Sequence, residues 1–342
     1  MTVSESTVGN AVGGVAQKQP EAASVCPPAS RRWRVDRFHS YLLGKTFAGT
    51  MVPRKVHPLE ESREWQIWTE LVTVTICHQA NWDKLQSRIV EIARTALTLI
   101  TPAAVSEMTG PAFRRLFGQV YDSDRIRSTE RAKLLSSLGR AVARTADVPV
   151  FPWLTSNPVA LAGLGGLYDW LAGIDAFSQD PLRKKSRMLV HDLLQYGLIE
   201  VADQQNIAPA IDYHLIRLYV RTGRVLPIRV ELLGRLSDEG TPRVEFHTDL
   251  RAAVEEAMGY TASGAGLRID ELNNIEWQVA RSFCLRKEPR CNGCAIPEKP
   301  VDAFIEVLAG KANGCPMRRD CRGANDAELR SIVDPRSARS YY

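Results

Sequence analysis

Apolar residues along most of the chain recur at the spacing of amphipathic helices, and the alternation typical of strands is scarce. Trp68, Leu71 and Val72, for example, share one face of a helix predicted over residues 65–80. Thr101 followed by Pro102 predicts a helix N-cap and the first helical position after it. These patterns predict an all-α fold. The predicted helices span residues 65–80, 81–97, 111–117, 125–144, 158–171 (short or broken by glycines), 181–196, 208–221, 247–258 and 270–283.

Two stretches depart from this helical pattern. Residues 1–30 are rich in Ala, Gly, Val, Ser and Pro and offer little apolar surface to bury, so we expect a disordered tail. They also lack the basic start and apolar run of a secretory signal. Residues 227–266 combine irregular apolar positions with one predicted helix and a Gly-rich end. We interpret this second stretch as an insertion of unknown role.

Composition is that of a soluble globular protein, with 342 residues of which 44% are hydrophobic and 24% charged. No apolar run approaches the roughly 18 residues that a membrane span requires, so we expect no membrane partner. The net charge of +5 is modest, but the basic residues are clustered, which favours either phosphate contacts or plain solvated faces. The clusters are Arg31, Arg32, Arg34 and Arg37; Arg183, Lys184, Lys185 and Arg187; and Arg281, Arg286, Lys287, Arg290, Arg318, Arg319 and Arg322.

Five of the seven cysteines fall within 38 residues near the carboxyl end. Cys284, Cys291 and Cys294 follow a Cys-x6-Cys-x2-Cys pattern, and a Cys-x5-Cys pair follows at Cys315 and Cys321. Thiolates at such spacing bind a soft metal or an iron–sulfur cluster, whereas a disulfide framework is typical of small secreted domains. The sequence therefore predicts a metal centre in a basic loop, with a structural zinc site as the alternative to a cluster. Free thiols and the lack of an export signal indicate a cytoplasmic protein.

This loop and two upstream segments resemble the endonuclease III family of helix–hairpin–helix DNA glycosylases. Trp277 lies seven residues before Cys284 at the end of a predicted helix, and the Cys-x5-Cys pair follows an insertion over 295–314. Residues 211–217 (IDYHLIR) are similar to the segment that carries the family's active-site aspartate, and residues 101–104 (TPAA) match another family segment. The resemblance covers roughly residues 63–322, about three quarters of the chain.

The resemblance implies a [4Fe–4S] cluster bound by four of the five cysteines. Cys284, Cys291 and Cys321 are the expected ligands, and Cys294 and Cys315 compete for the fourth place. It also implies that Asp212 opens a helix and that its carboxylate stabilises the positive charge that develops at C1′ as an N-glycosidic bond breaks. The alternative for Asp212 is an ordinary N-cap.

The resemblance further implies DNA contacts. Gln79 corresponds to a glutamine in a turn that meets DNA, where it would contact the flipped nucleotide or fill the gap left behind; a simple helix cap is the alternative. Arg286, Lys287 and Arg290 are the basic side chains expected to face DNA from the cysteine loop.

The family's hairpin departs most from the pattern. Its two glycines are replaced by the sequence QDPLRKKS over 179–186, so the three consecutive basic side chains Arg183, Lys184 and Lys185 are expected to replace backbone contacts with a phosphate by charge, and Arg187 is a further expected DNA contact. Lys184 or Lys185 is the candidate amine for a Schiff base in a lyase reaction, which requires a depressed amine pKa. The alternative is a solvated basic start of a helix.

The implied architecture is two helical domains with a cleft between them. Residues 31–80 and 207–325 would form a split domain with the cysteine loop, residues 81–206 a helical barrel, and residues 326–342 a tail. The implied function is that of a monomeric glycosylase that hydrolyses the N-glycosidic bond of a base extruded from duplex DNA, with or without lyase activity. The alternatives are an N-glycosidase of a free modified nucleoside, nucleotide or RNA, and a non-catalytic iron–sulfur protein that binds DNA.

Overall fold

Helices make up most of the protein, as the sequence predicts. The computed structural model describes residues 32–123, 126–142, 149–155, 157–237, 244–293 and 296–333, so the tail predicted over 1–30 and Cys294 lie outside the described residues. The two short strands are β1 (Trp33–Val35) and β2 (Val225–Pro227), which pair antiparallel with Trp33 opposite Pro227. The helices are α1 (Arg37–Gly44), α2 (Arg63–Ile76), α3 (Trp82–Ala96), α4 (Pro102–Ser106), α5 (Gly110–Phe117), α6 (Ser128–Val142), α7 (Leu167–Ala172), α8 (Asp175–Ser178), α9 (Lys184–Gln195), α10 (Tyr213–Arg221), α11 (Glu231–Ser237), α12 (Val244–Ala265), α13 (Ile269–Ser282), α14 (Ala303–Ala312) and α15 (Ala327–Ser331).

Local capping explains where several helices begin. The Thr101 hydroxyl accepts from Ala104 N with Pro102 at the first helical position, which confirms the predicted start of α4. The Asn81 side chain caps α3 in the same way. Helix α2 ends at Ile76 rather than at residue 80, because Gln79 has a φ of 55° and a left-handed residue cannot continue a helix.

Buried apolar side chains form two clusters. The first lies within residues 59–207 and contains α2, although the sequence predicts α2 as part of the split domain. The second combines residues 33–47 with residues 211–332. Both clusters belong to one compact unit that begins at Arg32. The predicted domain limits therefore stay a prediction.

The segment predicted as an insertion contains α11 and α12, and α12 packs tightly on α1. A Cβ atom on Gly44 would lie 2.1 Å from the Thr261 carbonyl oxygen, and one on Gly264 would lie 2.1 Å from the Tyr41 carbonyl oxygen. The two backbones touch because neither glycine carries a side chain. Helix α12 is thus a long, integral part of the second cluster.

The chain after α14 is also packed rather than free. Helix α15 begins at an N-cap, Asp326, and Leu329 and Ile332 are buried, so the segment predicted as a tail from residue 326 starts with core residues. Among the helices of the described part of the chain, none is both long and apolar enough to cross a membrane.

Candidate active site and cysteine loop

Asp212 lies at the N-terminus of α10 and is 7% exposed. Its Oδ1 accepts a hydrogen bond from Leu215 N at 3.0 Å, which confirms the N-cap predicted as the alternative. Its Oδ2 accepts a second one from the indole N–H of Trp277 at 3.1 Å. A carboxylate oxygen has two acceptor positions, so each oxygen keeps one for another partner. Capping and a further role for Asp212 are therefore compatible.

His214, two residues into α10, is held neutral. Its Nδ1 lies 3.0 Å from an Nη2 donor of Arg217, and its ring meets the Trp277 ring edge-on at 6.5 Å. Burial lowers the pKa of His214 to about 4. The negative charge of Asp212 raises this pKa, and the positive charges of Arg217, Lys299 and Lys184 lower it further. At neutral pH His214 is therefore uncharged, with Nδ1 accepting a hydrogen bond from Arg217 and the single ring proton on Nε2.

The divergent hairpin is held by a buried ion pair. Both oxygens of Asp180 bind Arg251 of α12, at 2.7 and 2.8 Å, and the same carboxylate accepts from Leu182 N and Lys184 N. Arg183 adopts a φ of 51°, the left-handed conformation that a glycine would otherwise supply in such a turn. This turn delays the start of α9 from the predicted residue 181 to Lys184.

Lys185 points inward from the hairpin. Its Nζ donates to the Thr75 carbonyl at 2.8 Å, near the C-terminus of α2, and the residue is 2% exposed. Burial lowers the pKa of Lys185 to about 8, and the charges of Lys184 and Arg131 act in the same direction. The predicted depression of an amine pKa is therefore present, but the geometry is that of a cation binding the carbonyl end of a helix.

Arg131 completes the same arrangement from α6. It is fully buried, and its guanidinium donates to the carbonyls of Ile76 and His78 at 2.7 Å each. The Tyr121 hydroxyl also donates to the Ile76 carbonyl, at 2.8 Å. These donors fix the turn in which Gln79, half-buried, follows α2.

The turn around Gln79 connects to Asp212 through α13. Asp83, in the first turn of α3, pairs with Arg281 at 3.1 Å, and the Arg281 guanidinium stacks over the Trp277 ring at 4.4 Å. Lys184 lies close enough to this region that its positive charge lowers the pKa of both His78 and His214. The chain of contacts through Arg281 and Trp277 thus joins the start of α3, just after the Gln79 turn, to Asp212.

The opposite end of α10 holds the cysteine loop. Arg217 Nε donates to the Cys284 carbonyl at 2.7 Å, and Arg221 donates to the carbonyls of Leu285 and Arg286 at 2.6 and 2.7 Å. Arg221 also places an Nη1 donor 3.5 Å from the Cys284 sulfur. The Cys321 sulfur lies 3.9 Å from the Arg221 carbonyl oxygen. Cys284 and Cys321 therefore both contact Arg221.

Cys291 and Cys315 are brought together by a short backbone pairing. Asn292 forms an antiparallel bridge with Gly314, and Gly293 N donates to the Asn313 carbonyl at 3.0 Å. Gly314 has a φ of 144°, and a Cβ there would lie 2.6 Å from the Cys291 carbonyl oxygen. The glycine lets the two strands of the loop approach, which puts Cys315 beside the first half of the loop.

Of the four described cysteines of the loop, Cys284 and Cys315 are buried and Cys291 and Cys321 are half-buried. Burial raises the pKa of Cys291, Cys315 and Cys321, the last to about 11, and the charge of Cys284 is the second cause in each case. Cys315, one of the two alternatives for the fourth ligand, lies beside the segment of Cys291, whereas Cys294, the other alternative, lies outside the described residues. Within the described ranges, no three His, Cys, Asp or Glu side chains converge closely enough to hold one metal ion.

The predicted DNA-contacting basic residues fall into two groups. Arg183 and Lys287 are exposed, and Arg286 is half-buried. Arg187 binds within the protein instead: its Nη1 donates to the Glu255 carboxylate at 2.6 Å and to the Pro209 carbonyl at 3.1 Å. Arg290 binds the carboxylate of Glu298 and the Ile296 carbonyl. Arg183 and Lys287 are therefore the better placed for a phosphate.

No known family model matches the chain, and no curated protein is significantly similar to it in sequence. The resemblance to the endonuclease III family accordingly rests on the motifs alone. Sequence reasoning missed the ion pair of Asp180 with Arg251 and the contact of Trp277 with Asp212. A signal for the loop supports was present, since Arg217 and Arg221 are four residues apart, about one turn, on the helix that Asp212 opens.

Proposed function

We propose that the protein is a DNA glycosylase-like enzyme that hydrolyses the N-glycosidic bond of a base extruded from duplex DNA. One observation carries the proposal: α10 has a buried carboxylate, Asp212, at its start and two buried arginines that bind the cysteine loop further along. A single rigid helix therefore links the candidate acid to the candidate cluster. The family resemblance associates the same two features.

We propose that a [4Fe–4S] cluster is bound by Cys284, Cys291, Cys315 and Cys321. Two contacts support this: the Arg221 guanidinium lies 3.5 Å from the Cys284 sulfur, where a cation offsets the charge of a thiolate, and the Cys321 sulfur lies 3.9 Å from the carbonyl oxygen of the same residue. When bound, the cluster would hold the basic loop in shape and take no part in the reaction.

In the proposed reaction the C1′–N bond breaks with its electron pair leaving on the base. Asp212 stabilises the positive charge at C1′ and accepts a proton from the water that attacks it. The two N–H donors leave room on each oxygen for these contacts. Because Lys185 is buried against Thr75, we propose water rather than an amine as the nucleophile.

In this proposal, side chains rather than backbone N–H groups of the hairpin would bind the DNA phosphates. In this hairpin Leu182 N and Lys184 N already donate to Asp180, so they are not available to a phosphate. Arg183, Lys184 and Lys287 would then contact the backbone, and Gln79 the site of the extruded base. The use of Leu182 N and Lys184 N within the hairpin also favours the second candidate, an N-glycosidase acting on a modified nucleoside, nucleotide or RNA.

The test is base release, measured by mass spectrometry, from duplexes that carry a panel of oxidised, deaminated and alkylated bases, with free nucleosides and RNA in parallel. Asp212→Asn keeps a good N-cap and removes the charge, so folding and DNA binding should persist while base release falls roughly a hundredfold or more. Asp36→Asn is the matched control, since Asp36 also caps a helix with Oδ1 and binds a side chain, Arg322, with Oδ2.

Three results decide between the candidates. Turnover retained by Asp212→Asn refutes the mechanism. Release from nucleosides or RNA only, with duplex binding that is weak and insensitive to salt, favours the second candidate. Tight duplex binding without base release from any substrate favours a non-catalytic DNA-binding protein. Iron and sulfide quantitation with a visible absorption spectrum, on protein purified without oxygen, separates a cluster from zinc.

A further inference from the structure

The contact between Trp277 and Asp212 has no role in the N-cap. Helix capping uses Oδ1 alone, and one bond leaves the carboxylate free to turn about its Cβ–Cγ bond. The indole N–H holds Oδ2 at 3.1 Å and removes that freedom. The two residues are 65 positions apart, so this contact is made only by the packing of α10 against α13.

Trp277 is itself held in place. The Arg281 guanidinium stacks on its ring at 4.4 Å and pairs with Asp83 at 3.1 Å. Arg281 is 8% exposed, so this cation is largely shielded from water. A cation over an indole ring draws electron density from it and makes the N–H a stronger donor.

The chemistry of the donor is also specific. An indole N–H donates and never accepts, and it does not exchange its proton with a carboxylate near neutral pH. It can therefore orient Asp212 without competing for the proton that the attacking water gives up. A Ser, Tyr or His in the same place would offer a second acceptor.

We propose that Trp277 is a positioning residue that sets the direction of the Asp212 carboxylate in the reaction. This inference rests on the proposed function. The remaining acceptor position of each oxygen then faces the substrate in a fixed direction. Arg281 stacks on Trp277 and pairs with Asp83. These contacts connect the orientation of the Asp212 carboxylate to the segment just after the Gln79 turn, on the side where DNA is expected.

The first test is kinetic. Trp277→Phe keeps a ring for Arg281 and removes only the donor, so kcat should fall roughly 10- to 100-fold, the value of one hydrogen bond to a charged group, while KM and DNA binding change by less than about twofold. Trp277→His offers an N–H again and should recover part of kcat. Trp170→Phe, in the first apolar cluster, is the control for loss of an indole and should leave kcat unchanged.

The second test needs no activity. The protein has 7 tryptophans, so the indole region of a 15N-labelled sample holds seven N–H signals, and the signal missing in Trp277→Phe is that of Trp277. In the wild-type protein the Trp277 N–H signal should lie downfield of those of the other partly buried indoles. In Asp212→Ala, which lacks the acceptor, the Trp277 signal should move upfield. The signal of Trp170 should not move.

The outcomes are distinguishable. A Trp277 signal that does not move in Asp212→Ala overturns the contact, and if Trp277→Phe fails to fold, the same conclusion follows when none of the indole signals moves in Asp212→Ala. A signal that responds, with kcat unchanged in Trp277→Phe, overturns the positioning role. Wild-type protein that releases no base refutes the proposed function and the role together, while the spectrum still decides whether the contact exists.

Discussion

Replacing Arg251 with Met should destabilise the protein strongly, because it leaves Asp180 buried without its cation. The side chains of Arg251 and Asp180 are 2% and 3% exposed. The substitution keeps an unbranched apolar stem and removes two charge-assisted hydrogen bonds, of 2.7 and 2.8 Å. The pair joins the hairpin before α9 to α12, so its loss also frees the turn that carries Arg183.

The magnitude follows from burial. Removing one member of a buried pair costs about 3–5 kcal/mol, since the remaining charge stays in a medium of low polarity. Asp180 keeps its bonds to Leu182 N and Lys184 N, so we expect the lower end, about 3 kcal/mol. With a urea m-value of about 3 kcal/mol/M for a chain of this size, the unfolding midpoint should fall by about 1 M.

The assay is urea unfolding followed by circular dichroism and tryptophan fluorescence. Arg32→Met is the matched control, because Arg32 binds Asp249 of the same helix at the same distance of 2.7 Å but with side chains 39% and 37% exposed. That exposed pair should contribute no more than about 1 kcal/mol. Equal losses in the two variants would refute the assignment of the Asp180 pair as a buried anchor.

The pH dependence supplies an independent check. Burial raises the pKa of Asp180, but the hydrogen bonds and charge of Arg251 and the two backbone donors outweigh it, so the pKa lies below 3.8. A carboxyl with a lowered folded-state pKa stabilises the protein above its unfolded pKa and loses this contribution as the pH falls through the folded value. The gap between wild type and Arg251→Met should therefore shrink as the pH falls from about 4, near the unfolded pKa, through the lower folded-state pKa of Asp180. A gap that is constant with pH would contradict this explanation.

Two further predictions concern the cysteine loop and Lys185. Gly314→Ala should lower the iron bound per chain, because the new Cβ would lie 2.6 Å from the Cys291 carbonyl oxygen. Gly310→Ala is the control and should not lower it, because a Cβ there has nothing within 4 Å. Equal iron content in the two variants would contradict the role of Gly314 in bringing Cys291 and Cys315 together. Burial lowers the pKa of Lys185 from 10.5 to about 8, so the unfolded state binds more protons between these values and wild-type stability should rise with pH across them. In Lys185→Met this rise should be missing in unfolding titrations between pH 7 and 10, and a wild-type–variant difference that stays constant over that range would refute it.

Helix positions were largely predictable because the information is local. Apolar spacing locates most helices, and the caps at Asn81 and Thr101 act within one turn of the chain. The errors occur where a distant residue decides. Helix α2 stops early at a turn held by Arg131, which is 55 positions from the Ile76 carbonyl it binds. No periodicity within α2 reports that contact.

The hairpin shows the same limit. Its missing glycines are visible in the sequence, but the buried pair that replaces their structural effect joins Asp180 to a residue 71 positions later. Helix α12, which supplies Arg251, could be predicted as a helix and not as a support for α9. The cysteine loop is a further case, since the bridge between Asn292 and Gly314 places Cys315 beside the segment of Cys291, and no cysteine spacing reports that pairing.

The sequence by itself determined that the chain is helical, that thiols cluster near its carboxyl end, and that an aspartate opens a helix upstream. Only the tertiary structure decided that α10 joins these features, with Asp212 at its start held by Trp277 and the cysteine loop held by Arg217 and Arg221 further along. The reason is physical: helix formation depends on neighbours a few residues apart, whereas the burial of charged and polar groups requires partners that only the folded chain brings within hydrogen-bonding distance.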